Sequence, residues 1–489
     1  MTDFSQPEGR LYIDGAFCDA ASGATYANLN PATEAVIGRV ADAGEADMER
    51  AIAASRRAFD ETSWSTDVAL RRRCLEQFQK GLAKEKDHLR LQTVQEVGAP
   101  IQLTYAPQGD SVIQDLRWVV ELLDRYEWET DLGIHEFFGM KSRRTIYREA
   151  VGVVACVTPW NFPLQVNLAK VGPALAAGNA IVLKPAPDTP WTATFLANVI
   201  ETYTEIPPGI FNVVTSEDPA TVGELLTQHP SVDMVSFTGS TTVGKHIMHN
   251  GADTLKRIFL ELGGKSANIV LDDAKFEAVL PAASMTCIHG GQGCAITTRL
   301  LLPRSRYEEG IEILKTAFEN VNYGDPMDPK NIQGPQINRR QQERILGYIE
   351  QGKREGAKVI VGGGKPAHLE QGFFVEPTLF RDVDNSMTIA QEEIFGPVLC
   401  VIPFDDDNDA VRIANDSPYG LSGAVNSGSD ERALAVAKRL RTGTIAVNGG
   451  LWFAPDSPFG GYKQSGVGRE MGVQGFEEYL ETKTMGFRA

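Results

Sequence analysis

Cys294 sits in Gly290-Gly-Gln-Gly-Cys294-Ala, a run of small residues through which backbone can approach a ligand and a thiolate can be reached from one side. That setting suits a nucleophile. Two partners stand out in the same chain: Glu261 in Leu-Glu-Leu-Gly-Gly-Lys-Ser and Asn161 in Thr158-Pro-Trp-Asn-Phe-Pro163. Taken singly, each has an ordinary explanation. Most cysteines are buried packing residues, most glutamates are solvated, and an Asn among prolines and aromatics commonly forms a turn. It is their conjunction that points to chemistry.

A further candidate is Phe237-Thr-Gly-Ser-Thr-Thr-Val-Gly244-Lys245, which follows an apolar run and opens a helical one, as a phosphate cradle at a helix N-terminus does. Gly239, Gly244 and Lys245 satisfy GxxxxGK, but His246 stands where a nucleotide-triphosphate loop needs a magnesium-binding hydroxyl. No GxGxxG followed by an acidic residue occurs. A plain capped strand-to-helix turn fits the segment equally.

The elements that must position these residues show as a change of texture near residue 150. Short apolar runs at 151–157, 180–183, 210–214, 233–237 and 257–260 alternate with helix-length segments, the pattern of βαβ units and a parallel sheet. Glu261 and Asn161 then lie at carboxyl ends of strands, where α/β sheets bind ligands. A second alternation, with strands at 269–271, 300–302, 358–361, 398–404 and 444–447 and a helix over 337–355, predicts a second α/β domain. The first 125 residues read as mostly helical, with amphipathic helices over 46–59 and 67–97. Residues 126–149 read as a hairpin leaving the domain body.

Composition narrows the classes. Lys and Arg number 47 against 64 Asp and Glu, a formal charge of −17, which disfavours nucleic acid as a partner. Six cysteines without a CxxC pair suggest neither a disulfide framework nor zinc, and no metal motif is seen. The N-terminal residues lack a secretory leader and no apolar run is long enough to span a membrane, so the expectation is a cytoplasmic protein.

Seven motifs in order, Thr-Pro-Trp-Asn161-Phe-Pro, Lys184-Pro, Phe-Thr-Gly-Ser240, Glu261-Leu-Gly-Gly-Lys, Gly-Gln-Gly-Cys294, Glu392-Glu393-Ile-Phe-Gly-Pro and Pro-Phe459-Gly-Gly-Tyr-Lys-Gln-Ser-Gly, resemble the aldehyde dehydrogenase superfamily over nearly the whole chain. The resemblance implies a Rossmann-type cofactor domain (1–125 and 150–260), a second α/β catalytic domain (261–475) and a small β oligomerisation element (126–149 and 476–489). It implies a Cys294 thiolate attacking an aldehyde, an oxyanion held by the Asn161 amide and the Cys294 N–H, and Glu261 activating the water that cleaves the thioester. Lys170 is placed near that water.

For the cofactor it implies Lys184 at the adenosine ribose, Gly239, Ser240 and Val243 at the pyrophosphate turn, and Glu393, Phe395 and Trp160 around the nicotinamide end. Members often read Lys-Pro-x-Glu where this chain reads Lys184-Pro-Ala-Pro187, so NAD is favoured and NADP stays possible; Asp188, one residue late, should point elsewhere. Phe162, Val166, Trp452, Phe453 and Phe459 line the substrate tunnel on this resemblance and suit a hydrophobic or aromatic aldehyde. Two rivals remain: a coenzyme A-acylating relative and a non-catalytic binding or structural member. A homodimer or homotetramer is expected, with Gly475 to Ala489 in a neighbouring subunit's sheet.

Overall fold

The chain opens on strand where helix was expected. In a computed structural model describing residues 4–489, β1 (Leu11–Ile13) and β2 (Ala16–Cys18) form a hairpin, and β3 (Thr25–Leu29) and β4 (Val36–Ala41) an antiparallel pair. Residues 1–3, part of the stretch read for a leader, lie outside the described residues. The β1–β2 turn is Asp14-Gly15, both at positive φ (55° and 79°), which matches the twist of the paired strands. Strands of three residues give too little alternation to be read as strands. Helix begins at α1 (Glu45–Glu61) and continues with α2 (Val68–Val97) and α3 (Asp110–Leu123). The spaced apolar residues Cys74, Leu75, Phe78 and Leu82 of α2 are all fully buried.

A hairpin of β5 (Glu129–Phe137) and β6 (Met140–Ala150) follows. Then come β7 (Val153–Val157), α4 (Pro163–Ala177), β8 (Ala180–Lys184), α5 (Pro190–Tyr203), β9 (Phe211–Val213), α6 (Pro219–Gln228), β10 (Met234–Thr238), α7 (Thr241–Ala252) and β11 (Arg257–Glu261). The five strands are parallel in the spatial order β11-β10-β7-β8-β9. The winding direction reverses between β7 and β10, which opens a crevice at their carboxyl ends. Helices on both faces explain the unbroken apolar runs Val-Val-Ala-Cys in β7 and Ala-Ile-Val-Leu in β8, every residue of them buried.

The second sheet holds β12 (Ser266–Val270), β13 (Thr297–Pro303), β14 (Lys358–Val361), β15 (Thr378–Arg381), β16 (Val398–Phe404), β17 (Ser422–Asn426) and β18 (Thr444–Val447), ordered β14-β15-β16-β13-β12-β17-β18 and parallel except at β14. Sequence reading passed over β15 and β17: one is four residues long, the other begins Ser-Gly-Ala, with little apolar signal. Two late strands then return. β19 (Gly466–Val467) pairs antiparallel with β11, and β20 (Leu480–Arg488) pairs with β6 from Leu480↔Ala150 to Arg488↔Ser142. The tail expected in a neighbouring subunit's sheet is therefore a strand of its own chain. Its start is fixed by Tyr479, buried in the first core with its hydroxyl 2.9 Å from Ser236 Oγ, which leaves β20 beside the free edge of β6.

Candidate active site

Four strand ends of the first sheet present the site. The segment after β7 carries Asn161, β8 ends on Lys184, the turn after β10 carries Gly239 and Ser240, and β11 ends on Glu261. Cys294 comes from the second sheet's side, three residues before β13.

Asn161 is buried just before Pro163 starts α4. Its carbonyl accepts from Gln108 Nε2 at 2.7 Å and faces His289 Nε2 at 2.8 Å. Burial lowers the His289 pKa to about 4, so the ring is neutral at ordinary pH. Because a carbonyl only accepts, the ring proton belongs on Nε2, and Nδ1 is left buried without a partner. The Asn161 amide donates to Gln292 O at 3.0 Å, which ties it to the loop two residues before Cys294. An amide nitrogen has two hydrogens, so one remains for a ligand.

The Cys294 loop is held from several sides. Ser422 Oγ donates to Ala295 O at 2.6 Å, Gln292 Nε2 donates to His289 O and Pro335 O, and Gln292 Oε1 accepts from Ile337 N. Gly264 lets the loop settle: a Cβ there would lie 2.8 Å from Cys294 O. Cys294 itself is half-buried. Burial first, then the charges of Glu261 and Glu393, push its thiol well above the usual 9.0.

Glu261 is 1% exposed and, among the described residues, neither carboxyl oxygen has a hydrogen-bond partner. Burial first and the charge of Glu470 next raise its pKa well above 4.5, while Lys170 pulls it down. A carboxyl so placed takes up a proton readily. Lys170 is not a surface charge: it is wholly buried on α4, with Nζ 2.5 Å from Glu470 Oε1.

On the crevice side, Ser240 caps α7 by accepting from Val243 N at 3.3 Å, and Gly239 N donates to Glu261 O. Val243 is exposed in that first turn. Lys184 is buried at its strand end, its Nζ held among the described residues only by Pro185 O at 3.4 Å, and burial lowers its pKa to about 8. The hydroxyls of Thr158 and Thr238, flanking the crevice, are buried and, among the described residues, unpartnered. Open donors at a helix N-terminus, two orphaned hydroxyls and a lightly held lysine fit a dinucleotide. Lys245 reaches instead to Gln464 Oε1 at 2.9 Å and is exposed, which ends the nucleotide-triphosphate reading. Asp188 accepts from Asn338 Nδ2 at 2.9 Å.

Glu393 is brought against the Glu261 loop, where its Oε1 accepts from Gly264 N at 2.9 Å. Phe395, at φ 59°, packs edge-on to Trp160 with centroids 5.4 Å apart. Of the tunnel candidates, Phe162 packs on His289 (5.1 Å), and Trp452 stacks on Phe459 (5.4 Å, 4° between planes) with Phe453 5.8 Å away. Val166 is half-buried on α4. Phe453 also lines an open pocket between α3 and α4.

Comparison with known proteins decides the family. The model of the aldehyde dehydrogenase family matches residues 17–485. The chain belongs to the aldehyde dehydrogenase family. A 3-succinoylsemialdehyde-pyridine dehydrogenase from a Pseudomonas species is 44% identical over 480 residues, covering 97% of this chain and 98% of the relative. Aldehyde dehydrogenase C of Pseudomonas syringae, solved as a mutant with NAD+ and octanal, is 40% identical with a TM-score of 0.93 and 98% of each chain covered. A betaine aldehyde dehydrogenase from Staphylococcus aureus, solved with NAD+, is 35% identical with a TM-score of 0.95, covering 99% of this chain and 98% of that one.

Sequence reasoning missed four residues that shape this aldehyde dehydrogenase's site: Gln108, His289, Gln292 and Glu470. Only Glu470 left a signal, since a lysine on an otherwise apolar helix requires a buried counter-charge. Among the described residues no cluster of His, Cys, Asp or Glu could hold a metal ion, and no helix is long and apolar enough to cross a membrane.

Proposed function

We propose that Cys294 passes its thiol proton to Glu261 and on to solvent, that the thiolate so formed attacks the aldehyde carbon, and that Glu261, ionised again, later drives hydrolysis, so that an aldehyde leaves as its carboxylic acid. The observation that carries this reading is the meeting of three groups: a half-buried thiol, an amide with one hydrogen to spare and a buried carboxyl with both oxygens unpartnered. Attack places negative charge on the former carbonyl oxygen, where the second Asn161 amide hydrogen and the Cys294 N–H stabilise it. Lys184, Gly239, Ser240, Val243, Glu393, Phe395 and Trp160 would hold NAD, which when bound would supply the hydride acceptor needed to take the thiohemiacetal to a thioester. Glu261 then takes a proton from water as the oxygen attacks the thioester carbon, and collapse returns the thiolate and frees the acid. The Lys170–Glu470 pair sets the field around Glu261.

NAD is favoured because the neighbours named above were solved with it. The lining Phe162, Val166, Trp452, Phe453 and Phe459 supports a hydrophobic or aromatic aldehyde, as do the relatives with octanal and a pyridine semialdehyde. Presence of Glu261 speaks against acyl transfer to coenzyme A, which needs no water-activating base. Residues 126–149 and 476–489 form the oligomerisation element of a homodimer or homotetramer, and the protein works in the cytoplasm.

The test is initial rates of cofactor reduction against octanal, phenylacetaldehyde and succinic semialdehyde, each with NAD and NADP. Turnover of octanal or phenylacetaldehyde with NAD, abolished in Cys294→Ala while NAD still binds by fluorescence titration, is the expected result. Reduction that survives the substitution overturns the assignment.

A further inference from the structure

The cavity between α3 and α4 is walled almost wholly by carbon: Leu116 and Val119 from α3, Leu168 and Ala169 from α4, and Phe453 and Phe476 from late in the chain. It continues the tunnel candidates along one helix face. Phe162 caps the N-terminus of α4, Val166, Ala169 and Pro173 follow it at helical spacing as a single stripe, and Ala169 lies ~10 Å along the axis from the cap. An aldehyde with its carbonyl at the Asn161 amide would therefore put the end of a several-carbon chain beside Ala169.

One group is out of keeping with this lining. Asp115 is the single ionisable side chain facing the cavity, half-buried, with no hydrogen-bond or ion-pair partner for its carboxylate among the described residues. Burial alone raises its pKa. The nearby Arg117 pairs with Glu121 on the same helix instead. A carboxylate taken partly out of water without a counter-charge is unfavourable, and a cation arriving in the cavity relieves it. Trp118, also in the lining, is an aromatic surface of the kind that holds cations, and the Arg125 guanidinium lies 5.9 Å from its ring centroid.

We infer that Asp115 makes the far end of this cavity a seat for a cationic nitrogen, so that the enzyme selects aldehydes carrying an ammonium or protonated ring nitrogen several carbons from the carbonyl. The inference rests on the aldehyde-oxidising reading above and names the substrate class of that site. An apolar aldehyde still fits the walls. What the carboxylate adds is discrimination between two substrates of equal shape and different charge.

Isosteric pairs read that discrimination directly. kcat/KM is measured for 4-(trimethylammonio)butanal against 5,5-dimethylhexanal, and for 3-(pyridin-3-yl)propanal against 3-phenylpropanal, in the wild type, Asp115→Asn and the charge-preserving Asp115→Glu. At least a tenfold preference for the nitrogen-bearing member of one pair is expected, falling about tenfold in Asp115→Asn and largely kept in Asp115→Glu. The pair that shows it tells a fixed ammonium from a ring nitrogen. A ratio near one for both pairs, or a preference that Asp115→Asn leaves intact, overturns the inference while oxidation of 5,5-dimethylhexanal leaves the functional reading standing. Failure to oxidise any of the four, or octanal, removes that reading and the inference with it.

Discussion

At the scale of single residues, the site is an exercise in charge kept near a thiol. Glu261 and Glu393 both oppose ionisation of Cys294, so the free enzyme holds this thiol protonated at neutral pH. The rate of alkylation by iodoacetamide should accordingly rise steeply only above pH 9. Removing a negative neighbour lowers the thiol pKa, so Glu261→Gln should move the whole alkylation profile to lower pH. An unmoved profile would mean that the carboxyl does not act on the sulfur. Cys294, Glu261 and Asn161 were legible in the sequence because glycine and proline neighbours mark each as a place where backbone is shaped around something. Gln108 and His289 were not, since each matters only through a partner 53 or 128 positions away, and the lysine on α4 calls for a counter-charge without naming Glu470, 300 positions on.

Among elements, the joints carry as much meaning as the strands. Glu96, fully buried near the end of α2, accepts from Trp191 N at 3.0 Å and Thr192 N at 2.9 Å, and from the Thr192 hydroxyl, so a helix end in one layer is capped by a carboxylate from another. Burial, opposed by those hydrogen bonds, raises its pKa to about 7. A raised acid pKa means that the folded state binds the proton more tightly than the unfolded one. Stability from this group therefore declines as pH climbs from about 4.5 to about 7 and levels off beyond. Thermal melts across that range should show the decline, and Glu96→Gln should flatten it while costing about 1–3 kcal/mol through the lost acceptor. The alternation that revealed β7 to β11 arises because strands covered on both faces must be apolar throughout. The same rule hid β1, β2, β15 and β17, which are too short or too rich in small and polar residues to show it. Nor could pattern say that β20 returns to β6, because pairing partners are chosen by shape in three dimensions.

For the whole molecule, the sheet β20-β6-β5 joins the first core through Leu480, and among the described residues no strand pairs with its outer edges. Its hairpin bears Ile134, Phe137, Phe138 and Met140, each at least 63% exposed. Apolar residues on an unpaired edge invite a second copy. Sedimentation velocity should show a dimer or tetramer for the parent chain, and Phe137→Asp with Phe138→Asp should shift it toward monomer with the NAD site intact by titration. Identical sedimentation of the two would assign the contact elsewhere. The two-residue strand β19 has a different kind of consequence. It closes the edge of the first sheet beside β11, yet it is contributed by residues 466–467, and Glu470, the counter-charge to Lys170, follows three residues later. During synthesis the ribosome delivers most of the first sheet some two hundred residues before these pieces emerge. Until then the nascent chain holds a lysine with no partner and a sheet with a raw edge. A chain cut short by premature termination is thereby left without a finished cleft, and Cys294 acquires its final surroundings only as translation ends.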